Sequence, residues 1–493
     1  MHRNQWNLRP LVALLCCELV LLPILGCTEH LVAPKPPLAP SLFRPLEADL
    51  QRSYLDLFRI SPELHYTSEQ INQVHDYLKH VEDYCVAQYK KKADEYQSRL
   101  EQEQGSLKKQ NVSLSGAKRH DTHCEIQNLR ALKSQTEVIA QHAIPVAYDN
   151  REAKLDLIEQ WPGQLRQVRQ EIADGSYRNR RWGDVQDIGF RQIESGQEDD
   201  IKDGEEAIKQ MKQSGLMPKA VESPEIVDYV TRVAERIAAR SDLHVPLHVT
   251  VLNSKEINAF ALPGGFLFVN RGLLEAADDE SELAGVMAHE TGHVVARHSH
   301  QLMTRSTIAQ LIYQTAQVAG AVLTGGAASI GVYYALQYGF YGLGLALDLR
   351  LLGVSRDYEL QADQLGVQFT WNAGYDPTGF IRFFDKMATQ EGYVNGVSWF
   401  YDHPPFYERM VDAEREIMFL PPKTNVVVQT PEFQQMKTVL NKVRAKADEE
   451  ERQRPSLLAP EQGCPAPQKA EYDSDKPIET LCSVPNNLKT ASK

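Results

Sequence analysis

The chain has 493 residues and a formal net charge of −13 at pH 7, which is long enough for roughly two to four domains with a sizeable core. Hydrophobic residues make up 42% and charged residues 24%, the proportions of a folded protein in water rather than of a disordered chain or a protein with many membrane spans. Asp and Glu number 66 against 53 Lys and Arg, so the composition gives no support for phosphate-backbone binding and we expect no nucleic-acid partner.

The first 27 residues have the pattern of an export signal. Basic residues near the start precede an apolar run from Leu11 to Gly26, which is short for a membrane span. The sequence Ile24-Leu25-Gly26-Cys27 resembles a bacterial lipoprotein processing box, in which the cysteine is lipidated and becomes the first residue. We therefore expect an exported, periplasmic protein tethered to the outer membrane by a lipid anchor at Cys27. A plain cleaved signal or a retained anchor is the alternative.

The region after the signal is predicted to be a tether followed by helices. Prolines in residues 28–45 favour an extended tether. Residues 46–185 are predicted to form a helical accessory region, because apolar side chains recur at alternating spacings of three and four at Ile71, Val74, Leu78, Val81 and Cys85. Breaks are expected at Pro145, at Trp161-Pro162-Gly163 and at Asp174-Gly175. Both a solvated bundle and a binding role stay open for this region.

Residues 186–420 have the pattern of a second folded region, which contains the candidate chemistry. A helix is predicted at Ile226–Ala239 and an alternating strand at Leu247–Leu252. A Pro-Gly-Gly turn then joins two β-prone runs within Ala259–Val269. The predicted fold class is therefore mainly α with a small β-sheet (α+β). Residues 421–493 form a polar tail in which one short helix is expected near Phe433–Ala447.

Four cysteines lie outside the signal and its last residue: Cys85, Cys124, Cys464 and Cys482. Export permits disulfides, and four cysteines allow three pairings. Sequence proximity favours Cys85 with Cys124 and Cys464 with Cys482, with four reduced thiols as the alternative. Apart from a Cys464–Cys482 loop, we expect the end of the tail to be disordered.

The segment from Glu282 to His298 carries the strongest chemical signal. Asp279 followed by Glu282 predicts a capping box and hence the start of a helix. On that helix His289 and His293 are four residues apart, so both imidazoles lie on one face and can bind one zinc ion. Glu290 follows the first histidine, where its carboxylate can activate the attacking water without binding the metal.

A catalytic zinc site needs a third protein ligand and an open fourth position. Glu359 and Asp363 are also four residues apart. This spacing lets Glu359 bind the metal while Asp363 accepts a hydrogen bond from the far nitrogen of a ligating histidine. The alternative is that both acids only solvate a helix face.

Taken together, four separated motifs resemble family 48 of the metallopeptidases, the gluzincin group with the HtpX-like, CAAX prenyl endopeptidase and BepA-like proteases. They are His289-Glu290-x-x-His293, Glu359-x-x-x-Asp363, the stretch Asn258–Asn270, and His403-Pro404 with Arg409. The resemblance covers about residues 200–420. Residues 28–185 and the tail fall outside it.

The resemblance implies a zinc metalloendopeptidase that holds one Zn²⁺ per chain. The implied ligands are His289, His293 and Glu359, with Glu290 as general base and then acid. His403 and Arg409 would lie near the metal and stabilise the oxyanion, or His403 would cap the zinc in a latent state. A strand around Phe260 to Val269 would bind substrate at a sheet edge, through Phe260, Ala261, Leu262, Gly264 and Gly265.

The sequence supports three hypotheses about the function. The first is a protease for unfolded or misassembled envelope proteins, acting in protein quality control, with a possible link to envelope assembly machinery. The second is a latent or non-catalytic zinc-bound chaperone or assembly factor. The third inserts the charge-free stretch Ser306–Leu347 into a membrane; its glutamines and glycines favour a buried or partner-facing lid instead. His298 and His300 are expected to be supporting or surface groups.

Overall fold

The computed structural model describes residues 40–303, 356–389 and 407–453, together with 464, 465, 468 and 470. Gaps fall at 42, 110–115, 192, 194–195, 214–216 and 256. The predictions for the signal, for the lipid anchor, for Ser306–Leu347 and for His403 lie outside these residues. Among the described residues, no helix is both long and apolar enough to cross a membrane.

The described part of the N-terminal region contains the α-helices α1 (Phe43–Leu50), α2 (Tyr54–Ile60), α3 (Ser68–Lys109), α4 (Gly116–Val138) and α5 (Ile144–Asp174). Helix α3 packs against α4 and α5. The predicted seam is confirmed, because its five members from Ile71 to Cys85 are all buried. Periodic apolar residues thus place one face of α3 against its neighbours.

The predicted break at Trp161-Pro162-Gly163 is wrong. Pro162 lies inside α5, which continues to Asp174. Trp161 is buried, its ring lies 4.7 Å from that of Phe58, and its indole N–H donates to the Phe58 carbonyl oxygen at 3.0 Å. Tertiary packing therefore outweighs the cost of about 3 kcal/mol that an internal proline imposes on a helix. The predicted end at Asp174 is confirmed, since Gly175 follows with φ 78°.

The second half of the chain combines helices with one small sheet. Its elements are α6 (Asp200–Gln213), α7 (Pro224–Ala238), β1 (His248–Leu252), β2 (Ala259–Leu262), β3 (Phe266–Asn270), α8 (Arg271–Ala276), α9 (Glu280–Val295), α10 (His298–Met303), α11 (Arg356–Asn372), α12 (Thr378–Thr389), α13 (Tyr407–Phe419) and α14 (Pro431–Gln453). The predicted class, mainly α with a small sheet, is confirmed.

The sheet has the order β1-β3-β2, with β1 parallel and β2 antiparallel to β3. The stretch expected as one edge strand is therefore a hairpin, in which β2 forms the edge and β3 the centre. Gly264 and Gly265 turn the chain with φ 82° and 89°. A Cβ on Gly264 would lie 2.4 Å from the Ile201 Cα, so only glycine fits the turn.

Helix α9 lies at the centre of this region, and every residue along it is buried. It packs against α7, α11, α12 and β2. One continuous apolar core contains residues of α1, α2, α3 and α5 together with residues of the sheet, α7–α9 and α11–α14. Contacts of α5 with α12 and α13 belong to this core, so the helical region supports the helices around α9. The predicted domain boundaries stay a prediction.

The predicted local disulfides are wrong. Cys124 of α4 is bonded to Cys464, 340 residues later in the chain. Because Cys124 is bonded to Cys464, the predicted bond between Cys85 and Cys124 is excluded. Cys85 is itself disulfide-bonded. Gln468 and Ala470 hydrogen-bond to α4 side chains, so this part of the tail is docked on α4. Chain proximity failed here because folding brings the tail to α4.

Candidate zinc site

The start of α9 is fixed by its first acids. The Asp279 side chain caps the helix by accepting the N–H of Glu282 at 3.0 Å. The Glu282 carboxylate accepts the N–H of Asp278 at 2.9 Å rather than that of Asp279. The predicted cap is therefore confirmed, while the return bond of the capping box goes to the preceding residue.

Helices α9 and α11 cross closely enough to combine their side chains. A Cβ on Gly366 of α11 would lie 2.9 Å from the backbone of His289, and one on Gly292 would lie 3.0 Å from the Ala362 carbonyl oxygen. Any larger side chain at either position would push the helices apart. The two glycines thus allow ligands from α9 and α11 to meet.

Three buried side chains converge at this crossing: His289, His293 and Glu359. The two histidine Nε2 atoms are 3.0 Å apart. The Glu359 carboxylate oxygens lie 3.6 Å from the Nε2 of His289 and 3.5 Å from that of His293. Donors about 2.0–2.2 Å from a tetrahedral zinc ion are separated by roughly 3.4 Å. The donor set and its spacing therefore fit zinc, and burying three such groups without a cation would be costly.

His289 is oriented by an acid that the sequence predicts for this purpose. Its Nδ1 lies 2.8 Å from an Asp363 carboxylate oxygen. Donation from Nδ1 leaves Nε2 unprotonated and able to bind a cation. Asp363 is in turn held by Arg409, whose Nε and Nη2 donate to its two oxygens at 2.6 and 2.7 Å.

Arg409 joins both acids of α11. Its Nη1 lies 3.1 Å from Glu359, and the guanidinium is completely buried. Burial works to raise the pKa of Asp363, but the charge and hydrogen bonds of Arg409 and the hydrogen bond from His289 hold that pKa below its usual range. These contacts favour a positioning role for Arg409 over the expected stabilisation of an oxyanion.

His298 supports the second histidine. The sequence predicts only that it is a supporting or surface group. It is buried, and its Nδ1 lies 2.9 Å from the Nδ1 of His293. Its Nε2 lies 3.1 Å from the Gln361 Oε1, so Nε2 carries the proton that is donated to Gln361. The Nδ1 of His298 then accepts from His293. Burial lowers the pKa of His298 to about 4, which keeps the ring neutral.

Sequence reasoning missed Gln361 and Tyr358, which hold His298 in place. The Tyr358 ring stacks on that of His298 at 4.3 Å. Tyr358 and Gln361 both lie on α11. Their spacing around Glu359 carries no signal by itself. His300, by contrast, is half-buried beside Asp200 and Asp203.

The other predicted site residues of the described chain lie on α9 and at the hairpin. Glu290 is buried on α9 next to His289. Phe260, Ala261 and Leu262 belong to the edge strand β2, which packs against α9. The Ala261 carbonyl oxygen, on β2, accepts a hydrogen bond from Ser299 at 2.8 Å. Gly264 and Gly265 form the turn after β2, where their backbone conformation reverses the chain.

Residues 225–417 match the family described as Peptidase family M48, in agreement with the resemblance of the four motifs. The chain is 26% identical to the beta-barrel assembly-enhancing protease of Yersinia pestis over 236 residues, 48% of this chain and 47% of that protein. It is 36% identical to the mitochondrial metalloendopeptidase OMA1 of Schizosaccharomyces pombe over 190 residues, 38% and 51% of the two chains. The beta-barrel assembly-enhancing protease of Escherichia coli K12 is 28% identical over 232 residues, 46% and 45%. The chain thus spans about half the length of these relatives.

Proposed function

We propose that the chain, whose residues 225–417 match peptidase family M48, is a zinc-dependent metalloendopeptidase. The observation that carries the proposal is the buried cluster of His289, His293 and Glu359, whose donor atoms have the spacing of zinc ligands. Each histidine has its Nδ1 engaged, which leaves Nε2 available. The Glu359 carboxylate completes three protein ligands, as in catalytic zinc sites.

The proposed reaction is hydrolysis of a peptide bond. A zinc ion at this site supplies Lewis acidity to the scissile carbonyl and lowers the pKa of water. Glu290 takes a proton from the attacking water and delivers it to the leaving amine. Asp363 and His298 hold the two imidazoles in the required tautomers. Strand β2, at the sheet edge beside α9, is suited to pair with an extended substrate.

The role of His403 rests only on its position in the sequence motif. We propose that it caps the zinc in a resting state. The alternative is that it stabilises the oxyanion. A cap suits a protease surrounded by folded proteins, because it limits cleavage until substrate displaces it.

We further propose that the substrates are unfolded or misassembled envelope proteins and that the enzyme acts in protein quality control from the periplasm. The export pattern ending at Cys27 supports a lipid anchor in the outer membrane. The name of the beta-barrel assembly-enhancing relatives supports a link to envelope assembly machinery. A chaperone or assembly factor with a latent zinc site would share these features but would not need Glu290.

The test compares Glu290→Gln with wild type for casein cleavage and metal content. We expect zinc to be retained and activity to fall by several orders of magnitude, because the base is lost while the ligands stay. Glu205→Gln, the same change at an exposed position on α6, is the control and should behave as wild type. Unchanged cleavage by Glu290→Gln would refute the mechanism. Absence of cleavage by the zinc-loaded wild type would favour the chaperone.

A further inference from the structure

A second cluster of metal-binding side chains lies on α4, around the Cys124–Cys464 disulfide. His120 precedes Cys124 by one helical turn, and its Nε2 lies 3.7 Å from the Cys124 sulfur. All three side chains are half-buried, and their donor atoms lie within 4.8 Å of one another. Once the disulfide is opened they are close enough to share one ion, and they are exposed enough for an ion or a reductant to reach them.

The position of Cys464 does not depend on the disulfide alone. The Gln468 N–H donates to Asn128 at 2.8 Å, and the Gln135 side-chain amide donates to the Gln468 carbonyl oxygen at 3.2 Å. The Ala470 N–H donates to the Gln135 side-chain oxygen at 2.8 Å. Three hydrogen bonds thus hold the tail on α4. Opening the disulfide would leave both thiols beside His120.

The geometry suits a tetrahedral thiophilic cation. With bonds of about 2.3 Å to sulfur and about 2.0 Å to nitrogen, a sulfur and a nitrogen that bind the same zinc ion are roughly 3.6 Å apart. The observed distance of 3.7 Å between His120 and Cys124 agrees with this value. Two thiolates and one imidazole form a soft donor set, and water can occupy the fourth position.

We propose that His120, Cys124 and Cys464 form a redox-exchangeable metal site that is separate from the peptidase site. In the oxidised form, the disulfide ties the tail to α4. A dithiol reductant opens it by thiolate attack on Cys464, which releases Cys124 as a thiolate. The second thiol of the reductant then displaces Cys464, so that the reductant leaves as a disulfide and its two protons pass to the cysteines. Binding of one Zn²⁺ releases those protons to solvent.

Cobalt distinguishes this site from the peptidase site. The full-length chain is reduced with a phosphine, desalted and titrated with Co²⁺ while the thiolate-to-cobalt charge-transfer absorption is followed. His289, His293 and Glu359 contain no sulfur, so the peptidase site cannot produce this band. We expect the band in the reduced chain and none in the oxidised chain.

Two variants and a matched control decide the assignment. Cys124→Ser should abolish the band. His120→Ala should weaken Co²⁺ binding by more than about 10-fold, because loss of a residue that only supports a metal ligand already lowers metal affinity by about that factor. His123→Ala, which changes a neighbouring histidine of α4, should titrate as wild type. The proposal is overturned if reduced wild type gives no band, if Cys124→Ser keeps it, or if His120→Ala binds Co²⁺ as wild type does. Circular dichroism of the oxidised variants checks that they fold.

Discussion

The strongest energetic prediction concerns Arg409, whose guanidinium pairs with two buried carboxylates. It lies 2.6 and 2.7 Å from the oxygens of Asp363 and 3.1 Å from Glu359, and all three side chains are at most 1% exposed. Arg409→Met keeps the apolar stem but removes the charge. Breaking a buried ion pair by removing one partner costs about 3–5 kcal/mol, because the remaining charge is uncompensated. We expect the free energy of unfolding of the metal-free protein to fall by about this amount.

The assay is urea unfolding, followed by circular dichroism with excess chelator, so that no cation replaces the guanidinium. Arg415→Met is the matched control on the same helix, because Arg415 is 31% exposed and its ion pairs with Glu171 and Asp412 are long. Such a pair contributes about 0–1 kcal/mol. Adding Asp363→Asn to Arg409→Met should recover part of the loss, since a buried charge is then removed. A loss no larger than that of Arg415→Met would refute the reasoning.

Three further predictions test the ligands, the latent state and the pH response. Glu359→Ala should lower zinc content more than Asp363→Ala, which should weaken zinc binding by about 10- to 100-fold; equal losses in a chelator competition would contradict the two roles. His403→Ala should raise basal casein cleavage if the histidine caps the zinc, whereas a fall of about 100- to 1000-fold at unchanged zinc content would make it an oxyanion stabiliser. Burial and repulsion from Asp149 raise the pKa of Glu82 from 4.5 to about 7, so the folded state binds this proton more tightly and stability falls as the pH rises through that range. Glu82→Gln should therefore raise the melting temperature at about pH 8 and leave it nearly unchanged at about pH 4; equal melting curves at the higher pH would contradict this sign.

Features that depend on spacing within one element can be predicted from the sequence. His289 and His293 share a face because they are four residues apart on one helix, and the N-cap at Asp279 marks where that helix begins. The seam of α3 follows from the period of its apolar residues. Glu359 and Asp363 fit the same rule, so the sequence predicts both the ligand set and the supporting acid.

Features that depend on contacts between distant segments emerge only when the chain is folded. Pro162 stays inside α5 because Trp161 packs against α2, and Cys124 pairs with Cys464 because the tail docks on α4. The contact of Arg409 with Asp363 and that of His298 with His293 likewise join different helices. Spacing along the chain does not encode which side chains meet when helices cross. That depends on packing, which here brings α9, α11 and α13 together around one buried cluster of charges.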